Sequence, residues 1–162
     1  MINSLKNKLF PICRSLSGAG VRKTLDIIKN ELGENNFKII ETSTGTKVFD
    51  WTIPNEWNIK DAWIKNSNGD KIIDFKNNNL HVVSYSTPVN KKVTLDELRK
   101  HLHFIEDLPD AIPYRTSYYE ANWGFCTTYN DYKNLLDDDY YVCIDSTLLP
   151  GSITHGEFFI KC

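Results

Sequence analysis

No C-x-x-C pair occurs among the four cysteines, Cys13, Cys126, Cys143 and Cys162. A zinc knuckle and a thioredoxin-type redox motif are therefore unsupported. No apolar run approaches the ~20 residues of a spanning helix. No basic block occurs either, in a chain of net charge -2. A membrane span is not expected, and bulk charge gives no reason to expect nucleic acid or anionic lipid as partner. The opening stretch, MINSLKNKLFPICRSL, lacks a long apolar segment followed by a small-residue cleavage site. A secretory signal is thus not indicated, and a cytoplasmic setting with reduced thiols is expected. H-E-x-x-H and G-x-S-x-G are missing. The aspartates at 137–139 lack the alternating oxygen ligands, glycine and closing glutamate of a calcium loop. The glycines of SLSGAG follow a helical pattern rather than a strand, which weakens a phosphate-cradle reading.

What is present reads as globular. The chain is 41% hydrophobic and 25% charged over 162 residues, enough for one cored domain or one domain with an appendage. Leu5, Leu9, Ile12 and Leu16 recur at helical spacing over residues 3–16, with Pro11 as a break. Val21, Leu25, Ile28 and Leu32 mark a second helix over 19–32 that stops at Gly33. NFKIIE reads as a strand. From Lys47 onward the texture is short strands and turns. KVFDWTIP is β-rich, and WNIKDAWIKN places Trp57, Ile59, Asp61 and Trp63 on one face. Asn68-Gly69 centres a hairpin turn before KIIDF. LHVVSYS, YRTSYY and NWGFCTT read as strands, YNDYKNLL as a short helix, and YYVCIDSTL, LPGS and ITHGEFFIK as a final hairpin. In VTLDELRKHL, Thr94 and Glu97 form a capping box, and Val93 and Leu98 a hydrophobic staple.

HLHFIEDLPD, residues 101–110, holds two of the four histidines and three carboxylates. Residues two apart on a helix face different sides, so His101 and His103 share a metal only on an extended chain. The capping box instead makes His101 the last turn of a helix, where the dipole and free carbonyls favour it, and Pro109 closes the exit. These residues read as structural. His81 and His155 read as strand or turn residues. Cys126 and Cys143 sit among apolar neighbours and read as packing residues. IPYRTSYYEANWGF is the denser oddity, with Tyr114, Arg115, Tyr118, Tyr119, Trp123 and Phe125 in a short span. It reads either as core and rim of a β-domain or as a recognition surface. On a strand, Tyr118 and Tyr119 point to opposite faces.

The segments LFPICRSLSGAGVRKTLDIIK, STGTKVFDWTIPNEWNIKDAWI, NLHVVSYSTPVN, HLHFIEDLPDAIPYRTSYYEANWGFC and GEFFIK together resemble the N-terminal part of bacterial zinc aminopeptidase-like proteins. That family is described as polysaccharide-biosynthesis proteins with an aminopeptidase-like domain. The resemblance runs in order along nearly the whole chain. It implies longer proteins with a zinc-peptidase-type α/β lobe, a β-rich domain inserted into that lobe, and a C-terminal winged-helix-like part. On this resemblance the fold class is α+β. Residues 1–44 supply helices and a first strand of the peptidase-like lobe. Residues 45–162 supply a mainly antiparallel β-rich domain with one or two short helices.

The resemblance also places zinc-binding H-x-C-H-P-S and N-D-N stretches after the β-rich segment. This sequence contains no such stretch, so no zinc ligand and no catalytic residue is carried over. Zinc is expected in full-length relatives and not in this chain, which alone is expected to be inactive. In the full-length setting the β-rich domain would shape the substrate cleft for a peptide or small molecule. Arg115, Tyr118, Tyr119 and Trp123 are the candidate contacts. The alternatives are a non-catalytic peptide or glycan binding module, and an assembly domain. In the last, the apolar stripe of helix 19–32 docks the missing lobe, a separate partner or a second copy.

Overall fold

The computed structural model describes residues 2–33 and 36–160. In chain order the first elements are α1 (Ile2–Leu9), α2 (Ala19–Leu32), β1 (Phe37–Ser43), β2 (Lys47–Val48) and β3 (Trp51–Thr52). Next come β4 (Glu56–Lys65), β5 (Lys71–Asp74), β6 (Val89–Thr94), α3 (Leu95–Arg99) and β7 (Leu102–His103). The last are β8 (Phe125–Cys126), α4 (Tyr129–Lys133), β9 (Asp139–Leu149) and β10 (Ser152–Phe158). The fold is α+β: β1–β10, β2–β3, β4–β5 and β6–β9 pair antiparallel, and β7–β8 pair parallel. Two compact units emerge. One takes the chain up to Asn58 and resumes at Leu148; the other runs from Ile59 to Thr147. These limits differ from the expected division after residue 44. The reason is pairing: β1 finds its partner in β10, over a register from Phe37↔Phe158 to Ser43↔Ser152.

In the first unit, α1 ends at Leu9 rather than running to Leu16. Pro11 disfavours helical geometry in the residue before it and has no N–H to donate. Arg14 closes the end by donating to the Leu9 carbonyl at 2.7 Å. α2 forms as the periodicity predicts, but its N-cap is Gly18, which has no side chain to cap with. Asn58 supplies the missing acceptor, taking the Ala19 N–H at 2.8 Å. Gly18 and Gly20 are needed for close approach, since a Cβ would fall on the Trp57 carbonyl or the Cys13 carbonyl. SLSGAG is thus a packing device.

Arg22, one turn into α2, holds the unit together. Its Nε reaches Glu41 of β1 at 2.6 Å, and its two terminal nitrogens grip both oxygens of Glu56 at 2.9 and 2.5 Å. Ser152 of β10 accepts a further bond at 3.1 Å. Glu56 also accepts from the Asn58 amide and from the Ser152 backbone N–H. β2 and β3 form a small hairpin, so KVFDWTIP is two strands turning at Phe49, which has φ 55.

The second unit is built on a four-stranded sheet in the order β5-β4-β9-β6. The final hairpin predicted from the sequence is not formed. LPGS does turn, but β9 lies between β4 and β6 while β10 leaves to pair with β1. On β4 the buried positions within this unit are Ala62 and Ile64, while Ile59, Asp61 and Trp63 stay half-buried. From Ile59 onward the face shared by Ile59, Asp61 and Trp63 is thus the less buried one. Lys65 covers the Trp63 ring at 4.8 Å. The core is completed by Ile73, Val82, Val93, Leu95, Leu98, Phe125, Tyr140, Val142 and Ile144. α3 starts where the capping box predicts, with the Thr94 hydroxyl accepting the Glu97 N–H at 3.3 Å. Val93 and Leu98 are both buried, as a staple requires.

The Glu56 carboxyl is held down to about 2, chiefly by its Arg22 hydrogen bonds, which outweigh its own partial burial. A carboxyl depressed on folding contributes stability that is present above its unfolded value and lost as pH falls through its folded value. Acid titration is therefore expected to remove this contribution between the ordinary value of 4.5 and about 2. Arg22→Ala is expected to cost roughly 2 kcal/mol at neutral pH, less than a fully buried pair because the guanidinium is partly exposed. It should also flatten that acid limb. Urea unfolding at several pH values, followed by tryptophan fluorescence, measures both effects.

Candidate functional site

Residues 82–87 organise the polar and aromatic surface of the second unit. LHVVSYS is not a strand. A 3-10 turn covers Asn79–His81, and the residues after it make only isolated bridges, Val82 with Phe125 and Ser84 with Thr116. Tyr85 adopts φ 68 and turns the chain, which a bulky residue does only where its surroundings hold it. Ser86 provides that hold. Fully buried, its hydroxyl donates to the Val83 carbonyl at 2.6 Å and accepts the Gly124 N–H at 3.2 Å. Ser146 on β9 donates to the Ser86 carbonyl at 2.8 Å. YRTSYY and NWGFCTT are correspondingly not full strands. The first contributes only the Thr116 bridge, and the second only β8.

These pairings lay four stretches of backbone side by side: β7, β8, residues 82–84 and residues 115–117. Leu102 pairs with Phe125 and His103 with Cys126 in parallel, and Val82 faces Phe125. The alternation of side chains then places His103, Cys126, Val83 and Arg115 on the same face. Gly124 lies there too, and a Cβ on it would come within 3.3 Å of His103 Nε2 and 3.0 Å of Val83. The glycine leaves room for the imidazole. The Arg115 backbone N–H is bonded to the Cys126 thiol, which burial pushes up to about 12, making it an inert packing group. Burial first, then the Arg115 charge and His101, hold the His103 imidazole below its ordinary value. It is neutral at physiological pH.

Trp123 belongs to a neighbouring cluster. Its ring stacks on His101 with centroids 3.6 Å apart, and its carbonyl lies 3.0 Å from His101 Nδ1. His101 Nε2 lies 3.4 Å from Glu97, and Lys91 covers the indole at 5.1 Å. His101 lies just past the last helical residue of α3, its N–H bonded to the Leu98 carbonyl at 2.9 Å. His81 Nδ1 lies 2.8 Å from the Cys126 carbonyl. Among the described residues no group of three or more His, Cys, Asp or Glu is placed to hold a metal.

The tyrosines differ from expectation. Residues 117–120 form a turn, closed by Glu120 N–H to the Ser117 carbonyl at 3.1 Å, rather than a strand. Tyr118 and Tyr119 therefore lie against each other, ring centroids 4.1 Å apart, instead of on opposite faces. Their hydrogen bond, with burial and the nearby Tyr114, raises the Tyr118 phenol above its usual value. Tyr118 also packs edge-on against buried Tyr85 at 6.0 Å. Tyr114 and Tyr119 are exposed, at 61% and 75%. Of the four candidate contacts, the structure brings Tyr118 and Tyr119 into ring contact, and it seats Trp123 on His101. Sequence reasoning missed His103 as a neighbour of Arg115, since no spacing in the chain links them. It also missed Gly124, whose only signal is its place beside Trp123.

A family model described as a domain of unknown function, DUF2172, matches residues 56–147. Those limits track the second compact unit, Ile59 to Thr147, to within three residues at one end and coincide at the other. A protein of Clostridium acetobutylicum is 58% identical over 160 residues, covering 99% of this chain and 36% of its own length. Its provisional name is polysaccharide biosynthesis protein with aminopeptidase-like domain. A crystal structure of a protein from the same organism, provisionally called a peptidase, matches with a TM-score of 0.90 at 58% identity. The match covers 97% of this chain and 36% of that one. The chain thus spans little more than a third of the length of these relatives and is similar to their N-terminal part. No helix of the described residues is long and apolar enough to cross a membrane. The DUF2172 match takes in more than half of the chain, and the chain belongs to that family.

Proposed function

We propose that this chain is the front part of an aminopeptidase-like protein and that its DUF2172 domain is an accessory domain shaping the substrate cleft. The observation that carries this reading is the 58% identity, sustained over 99% of the chain, to a protein whose name includes an aminopeptidase-like domain. In this reading hydrolysis, and the zinc expected for it, belong to the part of such a protein beyond the matched third. The domain supplies shape and contacts. Arg115, Tyr118, Tyr119 and Trp123 are the contacts it would offer a peptide or small-molecule substrate. A cytoplasmic setting goes with the reading, supported by the free thiols of Cys13, Cys126 and Cys143.

A second reading, a peptide or glycan binding module without catalysis, is favoured by the exposed Tyr114 and Tyr119 beside exposed Arg115. Tyrosine offers an apolar face with a polar tip and arginine a directed fork. An assembly role draws support from exposed Phe10, Leu32, Ile39, Phe159 and Ile160 in the first unit.

Supplied with zinc, the 162-residue chain is expected to release no product from aminoacyl-4-nitroanilides. Turnover by this chain would overturn the accessory reading. In the C. acetobutylicum relative, deleting the segment that matches residues 59–147 is expected to lower kcat/KM toward peptides. An unchanged kcat/KM would equally sink the reading. Trp123→Ala is expected to keep the fold by circular dichroism and to cost about 1 kcal/mol, the worth of an aromatic stack beyond its area. Loss of folding would instead assign Trp123 to the core.

A further inference from the structure

The sequence has four arginines, and three have an evident occupation. Arg14 binds the Leu9 and Ile12 carbonyls, Arg22 grips Glu41 and Glu56, and Arg99 lies over the Tyr132 ring. Among the described residues the Arg115 guanidinium has neither carboxylate partner nor hydrogen bond, although its backbone is pinned to Ser84 and Cys126. The four histidines sort the same way. His81 and His101 face carbonyls, and His155 lies 3.9 Å from Glu157. Among the described residues the His103 ring has no hydrogen bond. The uncommitted arginine and the uncommitted histidine share one face of the small sheet, and the imidazole packs with Nε2 against Gly124.

We propose that Arg115 and His103 form a binding site for a small carboxylate ligand, Arg115 taking the carboxylate and His103 accepting from a hydroxyl or amide N–H beside it. The proposal rests on the accessory-domain reading only in taking Arg115 as a contact residue. The guanidinium fork matches a carboxylate in two parallel bonds, which a lysine cannot reproduce. A neutral imidazole has one ring nitrogen free to accept. A doubly cationic pair would repel itself, whereas a neutral histidine can sit beside the arginine and read the second group of the ligand.

The test monitors the His103 ring by long-range proton–nitrogen NMR in the 162-residue chain. D-glucuronate and L-alanyl-L-alanine are titrated beside their neutral counterparts, D-glucose and L-alanyl-L-alanine amide. A carboxylate probe is expected to shift the ring saturably and to raise its pKa, by offsetting the Arg115 charge; the neutral probe is expected to do neither. Arg115→Lys should weaken binding roughly tenfold through loss of the fork, and Arg115→Ala should abolish it, both with melting temperature unchanged. Response to glucuronate alone identifies an acidic sugar, and response to the dipeptide alone a peptide C-terminus. If neither carboxylate moves the ring, or each neutral probe does as much, the site is refuted. That failure would leave the accessory reading standing, because the deletion experiment on the longer relative judges it independently.

Discussion

One guanidinium gathers the first unit. Arg22 of α2 contacts Glu41 of β1, Glu56 at the start of β4 and Ser152 of β10. These segments are far apart in sequence, and of them β1 and β10 pair as a sheet of two strands. Such a sheet is marginal by itself, because too little apolar surface is removed from water. Among the described residues the buried apolar side chains of this unit are few, Phe37, Ile53 and Trp57. A bidentate, charge-assisted clamp therefore supplies cohesion that a large core would otherwise supply. Geometry makes the clamp effective: Glu56 has its remaining capacity filled by Asn58 and the Ser152 backbone, so little polar capacity is left unsatisfied.

The second unit solves a different problem. It has the larger core and a four-stranded sheet, but its aromatic surface stands on segments with almost no regular structure. Buried Ser86 links Val83, Gly124 and, through its carbonyl, Ser146. The backbone on either side of Trp123 is thus held by one turn, Gly124 by Ser86 and Asn122 by Thr87, whose N–H donates to the Asn122 carbonyl at 2.8 Å. A loop held this way can present side chains at defined positions without belonging to a strand.

The features legible in the sequence were those whose causes are local. The stripe and stop of α2, the Thr94 cap with its Val93–Leu98 staple, and the turn at Asn68-Gly69 all depend on residues a few positions apart, and all are found. The strand partners were not legible, because pairing is decided by residues far away in the chain. The LPGS turn is real, yet the strand beyond it pairs with β1 across more than a hundred residues. LHVVSYS has the composition of a strand, but Tyr85 turns where Ser86 requires. At the candidate site the aromatic density around Arg115 was visible. That the Tyr118 and Tyr119 rings touch, and that His103 shares a face with Arg115, comes from a turn and a register that no spacing discloses. Arg22 gave no signal at all, being an ordinary polar position on a helix.

The chain passes between its two units twice, within β4 and near the end of β9, and those strands are neighbours in one sheet. Lys60 and Asp145, close to the two crossings, lie within 3.9 Å of each other. The DUF2172 segment therefore begins and ends on neighbouring strands. Removing the segment would therefore leave two neighbouring strand ends to be joined, the geometry that lets a domain be inserted into a host chain as a cassette.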